Sequence, residues 1–141
     1  MTYNEAISRY NVISNILMKD GDVELDRALK VKIIKTRTQL SKAKREWDLI
    51  IEDTVNQLKS TYEITDTTSQ EEIMKVEDKM NEDLQAVMNE QATMDVFIDL
   101  DLFTEDEYND IVNVNVEHDA IINGQMLDSA TLLELFHSLF C

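Results

Sequence analysis

The chain is predicted to be mainly α: a long antiparallel helical hairpin, in effect a three-helix rod, with a small acidic C-terminal α+β subdomain. Three observations predict it. Proline is absent and glycine occurs only twice in 141 residues, too few for a fold built from tight hairpins. Apolar residues recur at spacings of three and four through the first two-thirds of the chain. Three Ser/Thr-x-x-Glu pairs, Thr2 with Glu5, Ser69 with Glu72 and Thr104 with Glu107, mark helix starts, because hydroxyl and carboxylate each cap a backbone N–H of the other residue. The length suits one core, and 43% apolar composition excludes compositional disorder.

The first helix is placed at about residues 3–18, with Tyr3, Ile7, Tyr10, Ile13 and Leu17 on one face. Lys19-Asp-Gly-Asp22 ends it, Gly21 supplying the turn. A second helix, about 23–62, carries Leu25, Leu29, Ile33, Thr36, Leu40, Ala43, Trp47, Ile50 or Ile51, Val55, Leu58 and Tyr62, a period near that of coiled coils. At about 1.5 Å per residue it is roughly 60 Å long, and it requires neighbours to cover its apolar face. Thr65–Ser69 is a loop. The third helix, about 70–91, is striped by Ile73, Val76, Met80, Leu84, Val87 and Gln91. Folded back across their loops, helices one and three tile the long helix end to end, giving a rod over residues 1–93.

The remaining residues, 94–141, form the subdomain expected to dock on the rod. Met94, Val96, Ile98, Leu100 and Leu102 alternate with Asp95, Phe97, Asp99 and Asp101, the period of a half-buried strand. A short helix follows Thr104 and runs to about Asn113. Asn123-Gly124 between apolar pairs predicts a two-residue hairpin, and Asp128 caps a last helix bearing Leu132, Leu135, Phe136, Leu139 and Phe140.

Charge divides the sequence. Residues 1–62 hold 11 Lys/Arg against 9 Asp/Glu, whereas residues 63–141 hold 2 against 20. Seven bases and no acid lie between Lys30 and Arg45. Lys35, Arg37, Lys42, Lys44 and Arg45 are read as internal partners for the acidic subdomain, in preference to contacts with nucleic acid, since the whole molecule repels DNA. Asp99, Asp101, Glu105, Asp106, Glu107 and Asp110 are the candidate interaction residues: either a solubilising surface or one that recognises a basic partner.

Other chemistry is absent from the pattern. Asp20–Asp26 and Asp99–Asp110 resemble calcium loops but lack the glycine at the sixth position and the glutamate at the twelfth. His118 and His137 have no zinc spacing, and no phosphate loop or nucleophile motif occurs. No catalytic residue, cofactor or metal is expected. Trp47 is read as a core anchor, and Met74, Met80, Met88 and Met94 as gap-fillers. No membrane span or signal peptide is visible, and the lone Cys141 suits a reducing compartment, so an intracellular or virion-associated location is expected.

The helical pair at Leu25–Tyr62 and Gln70–Gln91, the acidic alternating stretch Val96–Leu102, Phe103-Thr-Glu-Asp-Glu107 and Leu132-Leu-Glu-Leu135 together resemble small helical-hairpin proteins of tailed bacteriophages. The resemblance spans most of the chain. It implies a virion, assembly or host-takeover protein. With the missing catalytic motifs, the expected function is a non-enzymatic structural, assembly or accessory protein that binds a protein partner or a second copy of itself. The alternative is an acidic inhibitor of the anti-defence type, which mimics nucleic acid and blocks a basic site.

Overall fold

The computed structural model describes residues 1–19 and 25–141. The turn assigned to Gly21, and most of the calcium-like run Asp20–Asp26, lie outside the described residues. The elements in order are α1 (Tyr3–Ser14), α2 (Arg27–Thr61), α3 (Gln70–Ala92), α4 (Glu105–Asn115), β1 (Ala120–Ile122), β2 (Gln125–Leu127) and α5 (Ser129–Phe140). The protein is mainly helical, with one two-stranded antiparallel sheet near its C-terminal end.

Each predicted N-cap residue caps its helix, although the Ser69–Glu72 box is only half made. Thr2 and Thr104 make complete capping boxes with Glu5 and Glu107. Ser69 accepts from the Glu72 N–H, and Asp128 from the Thr131 N–H. These satisfy helix-end donors that nothing inside the helix can reach. At the hairpin, Asn123 and Gly124 have φ of 52° and 78°, the pair of positive angles that matches strand twist in a two-residue turn. Ala120 then faces Leu127 and Ile122 faces Gln125.

The long helix carries two neighbours on one side. α1 runs antiparallel along its N-terminal half, so that the Tyr3 hydroxyl reaches Glu46 at 2.8 Å. α3 returns along the C-terminal half, and the Tyr62 hydroxyl donates to Asp83. Where α1 begins and α3 ends, the Tyr3 N–H donates to the Met94 carbonyl at 3.1 Å. The start of α1 and the end of α3 thus meet beside the middle of α2.

Burial along α2 is unequal. Leu29, Ile33, Thr36, Leu40 and Ala43 are buried, and no residue beyond Ala43 is. The first half packs with α1, Phe103, α4, β1 and α5 in one continuous core that includes Ile13, Ile111, Leu132, Phe136 and Phe140. Described residues from both 1–43 and 103–140 thus share this core. The molecule is a head, containing that core, and an arm made of the rest of α2 with α3.

Three expectations change. α1 ends at Ser14 rather than near residue 18. Beyond that point helical spacing no longer applies, so Ile16 is buried while Leu17 is 42% exposed. Trp47 lies past the core boundary and is half-buried, in tilted contact with Tyr3 at 6.0 Å, rather than a core anchor. From Val96 the stretch alternates half-buried and exposed side chains, as an extended chain does, but it is not a strand of a sheet among the described residues; a single bridge there joins Asp95 to Thr2. Its inward residues Val96, Ile98 and Leu100 do pack against the core, so hydrophobic alternation is satisfied by helices beneath rather than by a paired strand alongside.

Candidate interaction surface

The candidate acidic residues separate into two groups because they occupy different backbone settings. Asp99 and Asp101 are exposed, on the outward side of the extended stretch. Asp106 and Asp110 are exposed on α4. None of these four makes a side-chain bond among the described residues. Glu105 lies 2.9 Å from His137 Nε2. Glu107 is tied down: its Oε1 caps the Thr104 N–H at 2.9 Å and accepts from Lys32 Nζ at 2.9 Å. Partial burial opposes ionisation of Glu107, but the Thr104 N–H and the Lys32 ammonium outweigh it and hold its pKa below the ordinary carboxylate value.

Of the basic run, Lys32 makes the direct link to the C-terminal residues. Besides Glu107, its ammonium donates to the Leu102 carbonyl at 2.6 Å and sits 4.7 Å from the centroid of the Phe103 ring. Lys44 pairs with Asp48 in its own helix. Lys35, Arg37, Lys42 and Arg45 make no ion pair among the described residues. Lys42 does border a cleft of about 310 Å³ between α2 and the extended stretch, lined also by Gln39, Glu46, Val96, Phe97 and Asp99. The sequence points to Lys35, Arg37, Lys42, Lys44 and Arg45 as the internal partners and passes over Lys32, which is the base of the run that pairs with the C-terminal residues. Lys32 emerges because it lies one residue before the buried Ile33, at the edge of the α2 face that meets Phe103.

Two apolar features accompany the charge. Phe97 is 96% exposed, although a period-two reading marks only the side of the chain on which it falls. Along the arm, Trp47, Ile50, Ile51, Val55 and Leu58 of α2 are half-buried, as are Ile73, Val76, Met80, Leu84 and Val87 of α3. Those α3 positions are the predicted stripe. None of the 23 residues of α3 is buried, however, because one helix covers only one side of its partner. Met74 at 64% and Leu49 at 53% exposure are large apolar side chains of the arm that lie off this seam and face solvent.

No group of three or more metal-capable side chains is found among the described residues. Cys141 is exposed at the end of α5, yet desolvation of its thiol and the nearby Glu105 and Glu107 carboxylates push its pKa up, which disfavours the nucleophilic thiolate. No helix among the described residues is long and apolar enough to cross a membrane. No family model, curated protein or solved structure matches this chain.

Proposed function

We propose that this protein is a non-enzymatic interaction component and that its arm is the part that engages a partner. The observation that carries the proposal is the absence of any buried residue along α3 and along α2 after Ala43. A helix pair gains most of its stability by burying an apolar seam, and here the seam is only half covered. A partner that covers the half-exposed seam gains about 25 cal/mol for each Å² of apolar surface it removes from water. The resemblance to phage helical-hairpin proteins extends the proposal to a structural, assembly or accessory role.

The test is site-specific photo-cross-linking in the native source. A photoreactive residue at Leu49 or Met74 is expected to trap one discrete species. The same group at the exposed Ala130 of α5 is expected to trap none. Equal labelling from all three positions, or none from the arm, would overturn the proposal.

The second reading, an inhibitor that mimics nucleic acid, is favoured by Asp99, Asp101, Asp106 and Asp110, all exposed and without side-chain partners among the described residues. Salt separates the two. Affinity for a basic nucleic-acid site collapses between low and high ionic strength, whereas apolar docking on the arm does not.

A further inference from the structure

We infer that the extended stretch Val96–Leu102 is a docking edge for a basic peptide segment in strand conformation. The inference is independent of the arm. It begins with the backbone. Met1–Tyr3 and Met94–Val96 pair antiparallel, through Tyr3 N–H to Met94 O and Val96 N–H to Met1 O at 2.8 Å. The pairing stops at Val96. From Phe97 to Asp101 no backbone N–H or carbonyl bonds to another group among the described residues, and the Leu102 carbonyl is taken by Lys32. An extended chain with unbonded polar groups along its edge is a template on which another strand can add, main-chain bonds supplying affinity and side chains specificity.

The side chains decide which strand. Asp95, Phe97, Asp99 and Asp101 project to the outer face, with Phe97 almost wholly exposed. A second copy of this stretch would set aspartate beside aspartate, and like charges directly opposite are destabilising. The whole chain's net charge of −16 adds to the repulsion between two copies. Lysine or arginine on the outer face of an incoming strand pairs instead with Asp99 and Asp101, and an arginine can lie over the Phe97 ring. The inner face of that strand meets the cleft bordered by Gln39, Lys42 and Glu46. Lys42 is offset there by Glu46 and Asp99 in the same lining, so charge does not set the inner positions, and small residues such as threonine or valine fit them. The recognised chemistry is an extended segment with basic residues at every second position.

A peptide of about ten residues alternating arginine with threonine and valine, long enough to span the stretch at about 3.4 Å per residue, serves as the probe against the full chain. Binding is read by fluorescence anisotropy, and its location by backbone amide shifts. The expected result is saturable binding with the largest shifts at residues 97–101, weakened about tenfold or more in the Asp99→Lys, Asp101→Lys double variant. Binding should be abolished when alternate peptide amides on the pairing edge are N-methylated, since this removes the donors and leaves the charge. Undiminished binding of the N-methylated peptide would mean that charge alone attracts it, and would overturn the inference. So would shifts centred on α3, which would point instead to the arm, or self-association of the chain in place of peptide binding.

Discussion

Asn115 grips the backbone of Leu17 at both of its polar groups. Its Oδ1 accepts from the Leu17 N–H at 2.7 Å, and its Nδ2 donates to the Leu17 carbonyl at 3.4 Å and to the Ile111 carbonyl at 2.9 Å. The residue is fully buried, where an unsatisfied amide is costly. Here it replaces the hydrogen bonds that Leu17 loses when α1 ends at Ser14. Asn115→Ala should therefore destabilise the fold by about 2–3 kcal/mol in denaturant titration, the cost of stranding buried groups. A loss below about 0.5 kcal/mol, ordinary for a surface site, would show that the contact does not hold the segment.

Glu107 gives the head an acid-sensitive contact. Its folded pKa lies below the ordinary value of 4.5, so its contribution is whole above that pH and is lost as pH falls through the lowered value. Glu107→Gln keeps a capping side chain but loses the charge that Lys32 meets. It should cost about 0.5–1 kcal/mol at neutral pH. The gap between variant and parent should close as pH falls through the lowered pKa in acid titrations monitored by circular dichroism, whereas a gap that widened on acidification would contradict that lowering.

Trp47 and Ile33 lie on one stripe of α2 but in different surroundings. Ile33 is fully buried, whereas Trp47 is half-buried against Tyr3. Ile33→Ala should cost about 2–5 kcal/mol. Trp47→Ala should cost about 1–2 kcal/mol, most of it the lost aromatic contact and partial burial. Equal losses in thermal unfolding would place the core boundary further along the helix than Ala43.

Glu63 has φ of 56°, a left-handed angle that costs a side-chain-bearing residue about 1 kcal/mol. It is held there because α2 closes with paired bonds, Ile64 N–H to Lys59 O at 2.8 Å and Glu63 N–H to Ser60 O at 3.2 Å, the geometry in which glycine is favoured. Glu63→Gly should stabilise the arm by about 0.5–1 kcal/mol. It relieves the angle and also removes a negative charge from a helix C-terminus. Slower amide exchange at the α2–α3 end of the arm is the measurement, and faster exchange would contradict the assignment.

Much of this architecture was legible because it is local. Capping at Thr2, Ser69, Thr104 and Asp128 depends on residues three apart, and the Asn123-Gly124 turn depends on two adjacent backbone angles. The stripe from Leu29 to Ala43 was legible as well, since a continuous helix turns at a fixed pitch; Leu25 is buried but precedes the helix, which starts at Arg27. The same stripe from Trp47 to Tyr62 looks identical in sequence and is not buried, because burial depends on how many neighbours arrive. The head gathers α1, α4 and α5 around α2, while the arm has α3 alone.

The acidic residues follow the same division. The sequence by itself determined that negative charge is concentrated after residue 63, and that Asp99 and Asp101 alternate with apolar side chains along an extended chain. Only the tertiary structure decided that Glu107 is consumed by Lys32 while Asp99 and Asp101 stay exposed, and that the chain bearing them keeps an unpaired edge. Charge and local periodicity are properties of neighbours along the chain; pairing depends on distances between residues far apart in it, and those distances are set by packing around one core.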